Sequence, residues 1–253
     1  MIKKHLVTCS VICVLFIISK LFVFSVPDKE PLKNSNALID FLTLKKSPDS
    51  TLNFADEDVP VYSAIVKSKI STSIRKHSYY VSQTDELQEK AEKWFPVIEP
   101  ILRQYGVPED FKYIPLLESG FNSRARSPRG AAGIWQFMPG TAREYGLKVG
   151  GGKDDRLNAR KSTIAACKYL KELYGEFNSW TLAAAAFNAG SPRVAKAINR
   201  RNKGNYFFMH FNRETASYVY KLVAMKEVID RPVQNNPGMM ADNLQPAEVL
   251  TVN

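Results

Sequence analysis

Tyr113-Ile114-Pro115-Leu116-Leu117-Glu118-Ser119-Gly120-Phe121 places one carboxylate at the end of an apolar stretch, with Ser119 and Gly120 directly behind it. The pattern suits a helix that stops at the edge of a cleft. Glu118 then reads in two ways. It is an ordinary helix-end carboxylate. Alternatively, burial raises its pKa and keeps it protonated near neutral pH, as a general acid requires.

Three further segments stand out downstream. Ser127-Pro128-Arg129-Gly130-Ala131-Ala132-Gly133-Ile134-Trp135-Gln136-Phe137-Met138-Pro139 sets one amide in a densely apolar run. A buried Gln needs hydrogen-bond partners, and an amide that donates and accepts suits the N-acetyl and hydroxyl groups of a sugar. Trp135 and Phe137 are walls of a groove or plain core. In Trp180-Thr181-Leu182-Ala183-Ala184-Ala185-Ala186-Phe187-Asn188-Ala189-Gly190 the alanines permit close helix packing, and Asn188 is a site residue or a helix cap. In Glu214-Thr215-Ala216-Ser217-Tyr218-Val219, Tyr218 is core with its hydroxyl turned to a polar partner inside, such as a protonated carboxyl.

Around these segments the periodicity is helical. Tyr62, Ile65, Val66, Ile70 and Ile74 outline one helix with Pro60 in its first turn. A longer face from Leu87 to Tyr105 contains Pro96 and Pro100, which predict a bend, and Gly106 predicts its end. Thr141 to Glu144 reads as a capping box. Asn158, Ser179 and Asn212 read as caps, with Gly175 and Gly190 as stops and Ser191-Pro192 as a helix start. Sustained strand alternation is absent, so the expected fold class is mainly α, with about seven or eight helices and short connections.

The chain has 253 residues, 45% apolar and 24% charged, which excludes a wholly disordered chain or a multi-span membrane protein. Lys3 and Lys4 precede the uncharged run from Leu6 to Ile18, and Lys20 is followed by another apolar run to Val26. A basic start and a short apolar core predict an export signal or signal anchor over 1–26, placing the body outside the cytoplasm. Residues 27–57, rich in Pro, Ser, Asn, Asp and Lys, predict a linker. Residues 58–84 predict an N-terminal helical extension, 85–235 the main domain and 236–253 a flexible tail. Of three cysteines only Cys167 lies in the body, as small apolar filler rather than a reactive thiol. Scattered histidines and one thiol give no metal site.

Together, the four segments in this order resemble the catalytic domain of lytic transglycosylases, which has a goose-type-lysozyme-like fold. The resemblance covers roughly residues 85–230 and is closest to the membrane-bound lytic murein transglycosylase D branch. Phe187 stands where that pattern commonly has Tyr, and neither trailing glycan-binding repeats nor a lipid-attachment Cys is found. The resemblance implies non-hydrolytic cleavage of the β-1,4 bond between N-acetylmuramic acid and N-acetylglucosamine in peptidoglycan, giving 1,6-anhydro ends, without metal or cofactor. It implies Glu118 as catalytic acid and base, with Ser119 and Tyr218 orienting it. Ser127, Gln136, Met138, Phe187 and Asn188 would line the sugar subsites. Glu144, Asp154 and Asp155 match no second catalytic position. The alternatives are a hydrolytic muramidase on the same fold and an inactive peptidoglycan-binding protein.

Lys plus Arg is 35 against 25 for Asp plus Glu, a net charge of +10 that favours anionic partners. The run Arg193, Lys196, Arg200, Arg201 and Lys203, without acids, is a solvated face or a hold on the carboxylates of peptidoglycan. The expected partners are glycan strands, and a membrane through the N-terminal segment. Nucleic acid is not expected, and the expected state is a monomer.

Overall fold

A computed structural model describes residues 52–81 and 85–230. The expected export segment over 1–26, the linker up to residue 51, the side chain of Leu87 and the tail over 236–253 lie outside what is described. The described part starts with a tight hairpin, β1 (Asn53–Phe54) on β2 (Glu57–Asp58), turned by Ala55 and Asp56 in left-handed conformations (φ 54° and 62°). Helices α1 (Ala64–Val81), α2 (Asp85–Tyr105) and the short α3 (Ile114–Ser119) follow. Then come α4 (Pro139–Glu144), a second hairpin of β3 (Val149–Gly150) and β4 (Lys153–Asp154), and α5 (Ala159–Phe177). The body closes with α6 (Trp180–Ala189), α7 (Ser191–Ala197) and α8 (Thr215–Asp230). The described residues are mainly α, as the periodicity predicts.

One apolar core holds the helices together. α1 lies along α8, α2 packs on α5, and α5 packs on α6. Ala183 to Ala186 are fully buried, which lets neighbouring backbones approach α6 closely. Trp135, Tyr113, Phe54 and Phe111 are among the largest fully buried side chains. Cys167 is buried among them, and burial pushes its thiol up to about 12, so it stays an inert filler.

Several boundaries follow the local chemistry. Asn158 Oδ1 accepts from Lys161 N at 3.0 Å, Ser179 Oγ from Leu182 N at 3.2 Å, and Asn212 Oδ1 from Thr215 N at 3.0 Å, so all three cap as expected. Gly106, with φ 64°, closes α2, which runs through Pro96 and Pro100 without ending.

Other expectations are corrected. The linker does not reach residue 57, because Phe54 is fully buried and its ring meets Phe111 at 5.4 Å. Asp110 Oδ2 accepts from Ala55 N at 2.6 Å and Lys226 Nζ at 2.7 Å, so the hairpin is locked to the body. α1 starts at Ala64, with Pro60 ahead of it rather than in its first turn. Val66, Ile70 and Ile74 are its buried stripe, whereas Tyr62 precedes the helix and Ile65 falls off the stripe, leaving them 84% and 69% exposed. The capping box over Thr141–Glu144 does not form, because Pro139 already starts α4 after Met138. α5 passes through Gly175 and stops at Asn178, whose φ of 48° supplies the left-handed cap.

Candidate active site

α3 ends where the sequence places it: Gly120 takes φ 58° and its N–H bonds to Leu116 O, leaving Glu118 in the last turn facing α8. Tyr218, 4% exposed on α8, donates its hydroxyl to Glu118 Oε1 at 2.8 Å. Desolvation pushes the Glu118 carboxyl up to about 7, with the Tyr218 bond and Lys221 pulling it down and the charge of Glu214 pushing it up. The group is therefore about half protonated at neutral pH. The same Tyr218 bond steadies the carboxylate left after the proton departs.

Ser119 takes a different part from the one expected. Its hydroxyl faces two backbone carbonyls, Pro115 O and Ile134 O, each at 3.0 Å. It ties α3 to the loop before α4 and leaves the carboxyl of Glu118 to Tyr218. Ser127 is buried, and its Oγ accepts from Ala131 N at 2.9 Å across the turn.

That loop presents Gln136. Its φ is 50°, a conformation uncommon for a residue with a side chain and often held at functional sites. Its Nε2 donates to Gly133 O at 2.7 Å, while its Oε1 is buried with no hydrogen-bond partner among the described residues. Trp135 and Phe137 belong to the core, with Trp135 Nε1 donating to Thr163 Oγ1 at 2.9 Å. Both rings meet Phe187 edge-on, at 6.1 Å each, so the half-buried Phe187 closes an aromatic wall behind the loop. Met138 is half-buried at the start of α4.

Arg156 is a residue whose importance the sequence does not announce. It is 4% exposed, pairs with Asp154 at 2.8 Å, and donates to Gly130 O at 2.6 Å and Phe137 O at 2.9 Å. The loop rides so closely on this arginine that a Cβ at Gly133 (φ 79°) would lie 1.9 Å from Arg156 O. Asp154 is thereby held ionised, and Asp155 is engaged by Lys161 at 2.6 Å. Both carboxylates serve the scaffold.

Asn188, in the last turn of α6, hydrogen-bonds Glu214, while Gly190 closes the helix. Burial raises the pKa of Glu214, and its Oε2 is buried without a partner among the described residues. Lys221 lies one turn beyond Tyr218 on α8, and its charge acts on both Glu118 and Glu214. Glu214, Tyr218 and Lys221 recur at spacings of four and three, which puts them on one face. That spacing was the signal for Glu214 and Lys221 as site neighbours. Hydrogen bonds and charges thus link Glu118, Tyr218, Glu214, Asn188 and Lys221, while Gln136 and Met138 lie on the loop that Ser119 ties to α3 through Ile134 O.

A half-buried, proton-holding carboxyl under a tyrosine hydroxyl, on the helix next to a loop and a helix start that each hold an unsatisfied side-chain oxygen, has the features of an acid–base site. Residues 96–210 match the family described as Transglycosylase SLT domain. The chain is 34% identical over 145 residues to the membrane-bound lytic murein transglycosylase D of Escherichia coli (strain K12), covering 55% of this chain and 32% of that protein. It thus spans about a third of that relative's length. It is 29% identical over 169 residues to a putative tributyltin chloride resistance protein of Alteromonas sp. (strain M-1), covering 65% and 82% of the two chains. Among solved structures, an inactive mutant of the lytic transglycosylase Slt from Pseudomonas aeruginosa aligns with a TM-score of 0.40 at 24% identity, covering 55% of this chain and 25% of that one.

Proposed function

We propose that the protein is a peptidoglycan lytic transglycosylase of the cell envelope. It cleaves the bond between N-acetylmuramic acid and N-acetylglucosamine without consuming water. Glu118 protonates the glycosidic oxygen as the muramyl C1–O bond breaks, and the substrate's own N-acetyl oxygen stabilises the cation. The Glu118 carboxylate then takes the proton of the muramyl C6 hydroxyl while O6 bonds to C1, closing the 1,6-anhydro ring. An intramolecular nucleophile brings its own effective concentration, so no second catalytic carboxylate is required. Gln136 Oε1 and Glu214 Oε2, both lacking partners among the described residues, are acceptors for amide and hydroxyl donors of the sugar, with Asn188, Met138 and Phe187 beside them. Ser119 and Ser127 act through the loop they brace.

The observation that carries this reading is the Tyr218 to Glu118 bond at 2.8 Å on a carboxyl whose pKa lies at about 7. One group can then give a proton and take one back at the same pH. Glu118→Gln, nearly isosteric, is expected to abolish release of muropeptides from sacculi while circular dichroism stays unchanged. Retained turnover removes Glu118 from the chemistry. A second reading rests on Glu214: a carboxyl whose charge acts on Glu118 suits a hydrolase that holds water there, and its products carry reducing ends instead of anhydro ends.

Envelope location is supported by the N-terminal sequence and by the name of the Escherichia coli relative. Among the described residues no helix is long and apolar enough to cross a membrane.

A further inference from the structure

Residues 59–84 and 190–213 contain no acidic residue. Between them they hold ten lysines and arginines, as many as the whole chain's surplus of +10. The fold lays them side by side. α1 runs along α8, Lys69 sits over the Tyr220 ring at 5.6 Å, and the rings of Tyr62 and Phe208 are 6.5 Å apart. Within this band the loop between α7 and α8 forms an open groove of about 710 Å³, lined by Asn199, Arg200, Arg201, Asn202, Phe208 and His210.

The groove is built, not loose. Asn202 is 4% exposed; its Oδ1 accepts from Asn199 N at 3.1 Å and Gly204 N at 3.0 Å, and its Nδ2 donates to Ala197 O at 2.8 Å. Asn199 Oδ1 in turn accepts from Arg201 N at 2.9 Å. These bonds hold Arg200 and Arg201 outward, and among the described residues neither guanidinium has an ion-pair partner. Phe208, 40% exposed, supplies an apolar face beside them. Two members of the same acid-free segment act on the neighbours of Glu118, Arg193 on Glu214 and Arg213 on Lys221.

We propose that this groove is a second binding site, for the carboxylates of the stem peptides carried by the glycan strand whose sugars lie at Glu118. The proposal rests on the lytic transglycosylase reading of the cleft. Two guanidinium forks suit carboxylates, which they bind bidentately. The sugar backbone alone offers them nothing to neutralise. A concave basic groove, on the same acid-free segment as Arg193 and Arg213, fits a polymer strand better than it fits a planar bilayer.

The test measures cosedimentation of the full chain, bearing Glu118→Gln so that the polymer survives. The polymers are intact sacculi and sacculi whose stem-peptide carboxylates have been converted to neutral amides with carbodiimide and methylamine, which leaves the cross-links in place. Binding to intact sacculi is expected to be about tenfold tighter at low salt. The ratio falls to near one in Arg200→Glu/Arg201→Glu and persists in Lys168→Glu/Lys171→Glu, the same charge change on exposed positions of α5. The proposal is overturned if the arginine pair leaves the ratio intact, or if the lysine pair erases it equally, which would make net charge the cause. It is also overturned if the arginine pair lowers only binding to anionic phospholipid vesicles. Hydrolytic products from the unsubstituted chain would refute the lyase reading and leave this ratio, and the site, standing.

Discussion

Replacing Tyr218 with phenylalanine removes the hydroxyl that donates to Glu118 Oε1 at 2.8 Å and nothing else of comparable size, since the ring stays buried. A hydrogen bond to a charged group stabilises it by about 1.5–3 kcal/mol, and one pH unit corresponds to about 1.4 kcal/mol. The bond favours the carboxylate, so its loss raises the pKa of Glu118 above the value of about 7 that burial and Tyr218 set together. The alkaline limb of the kcat/KM profile, which reports the acid of the free enzyme, should therefore move up by about one to two pH units. At pH 6 the acid is protonated in both proteins, and the variant is the weaker donor. Its kcat/KM should fall by roughly 10- to 100-fold, with the anhydro product unchanged. The assay is release of soluble muropeptides from sacculi across pH 5–9. An alkaline limb that does not move, or that moves down, refutes the assignment of Tyr218 as the partner that sets Glu118.

Two further outcomes concern stability. Because folding raises the pKa of Glu118 from 4.5 to about 7, the folded state binds more protons than the unfolded chain between those values, and stability falls as pH rises through that window. Glu118→Gln should accordingly be more stable than the unsubstituted chain by about 1–3 kcal/mol at pH 8 and by little at pH 4, measured by urea unfolding; equal gains at both pH values contradict the raised pKa. Glu57, on β2, accepts from Ser179 Oγ, Trp180 N and both N–H and hydroxyl of Thr181 at the start of α6. Glu57→Ala should cost about 2–4 kcal/mol by the same measurement, and a loss under 0.5 kcal/mol would show that the hairpin is not a working clamp.

What the sequence reveals and what it hides divide by range. Asn158, Ser179 and Asn212 act on backbone a few residues away, so their roles can be read locally. Glu118 and Tyr218 were legible as a pair through the resemblance, and the structure joins them across 100 residues. Glu57 was hidden in a segment of linker-like composition because its partners lie more than 120 residues downstream. Arg156 was hidden for a similar reason, since it braces a loop from the far side of β4. For Ser119 and Ser127 the sequence named the residues but not the backbone groups they meet. A serine beside a catalytic residue suggests contact with it, yet both hydroxyls are taken up by backbone groups of the loops that carry the site. Glu214 carried a usable signal, its spacing from Tyr218, but only its charge on Glu118 and its unpartnered Oε2 mark it as a neighbour of the catalytic carboxyl.

The central claim is that one carboxyl, Glu118, acts as acid and then base while the substrate closes a ring on itself. Digesting sacculi in heavy-oxygen water and weighing the released fragments tests it most directly. The account predicts muramyl ends lighter by one water than reducing ends and free of solvent oxygen. Heavy oxygen at the newly formed ends would contradict it.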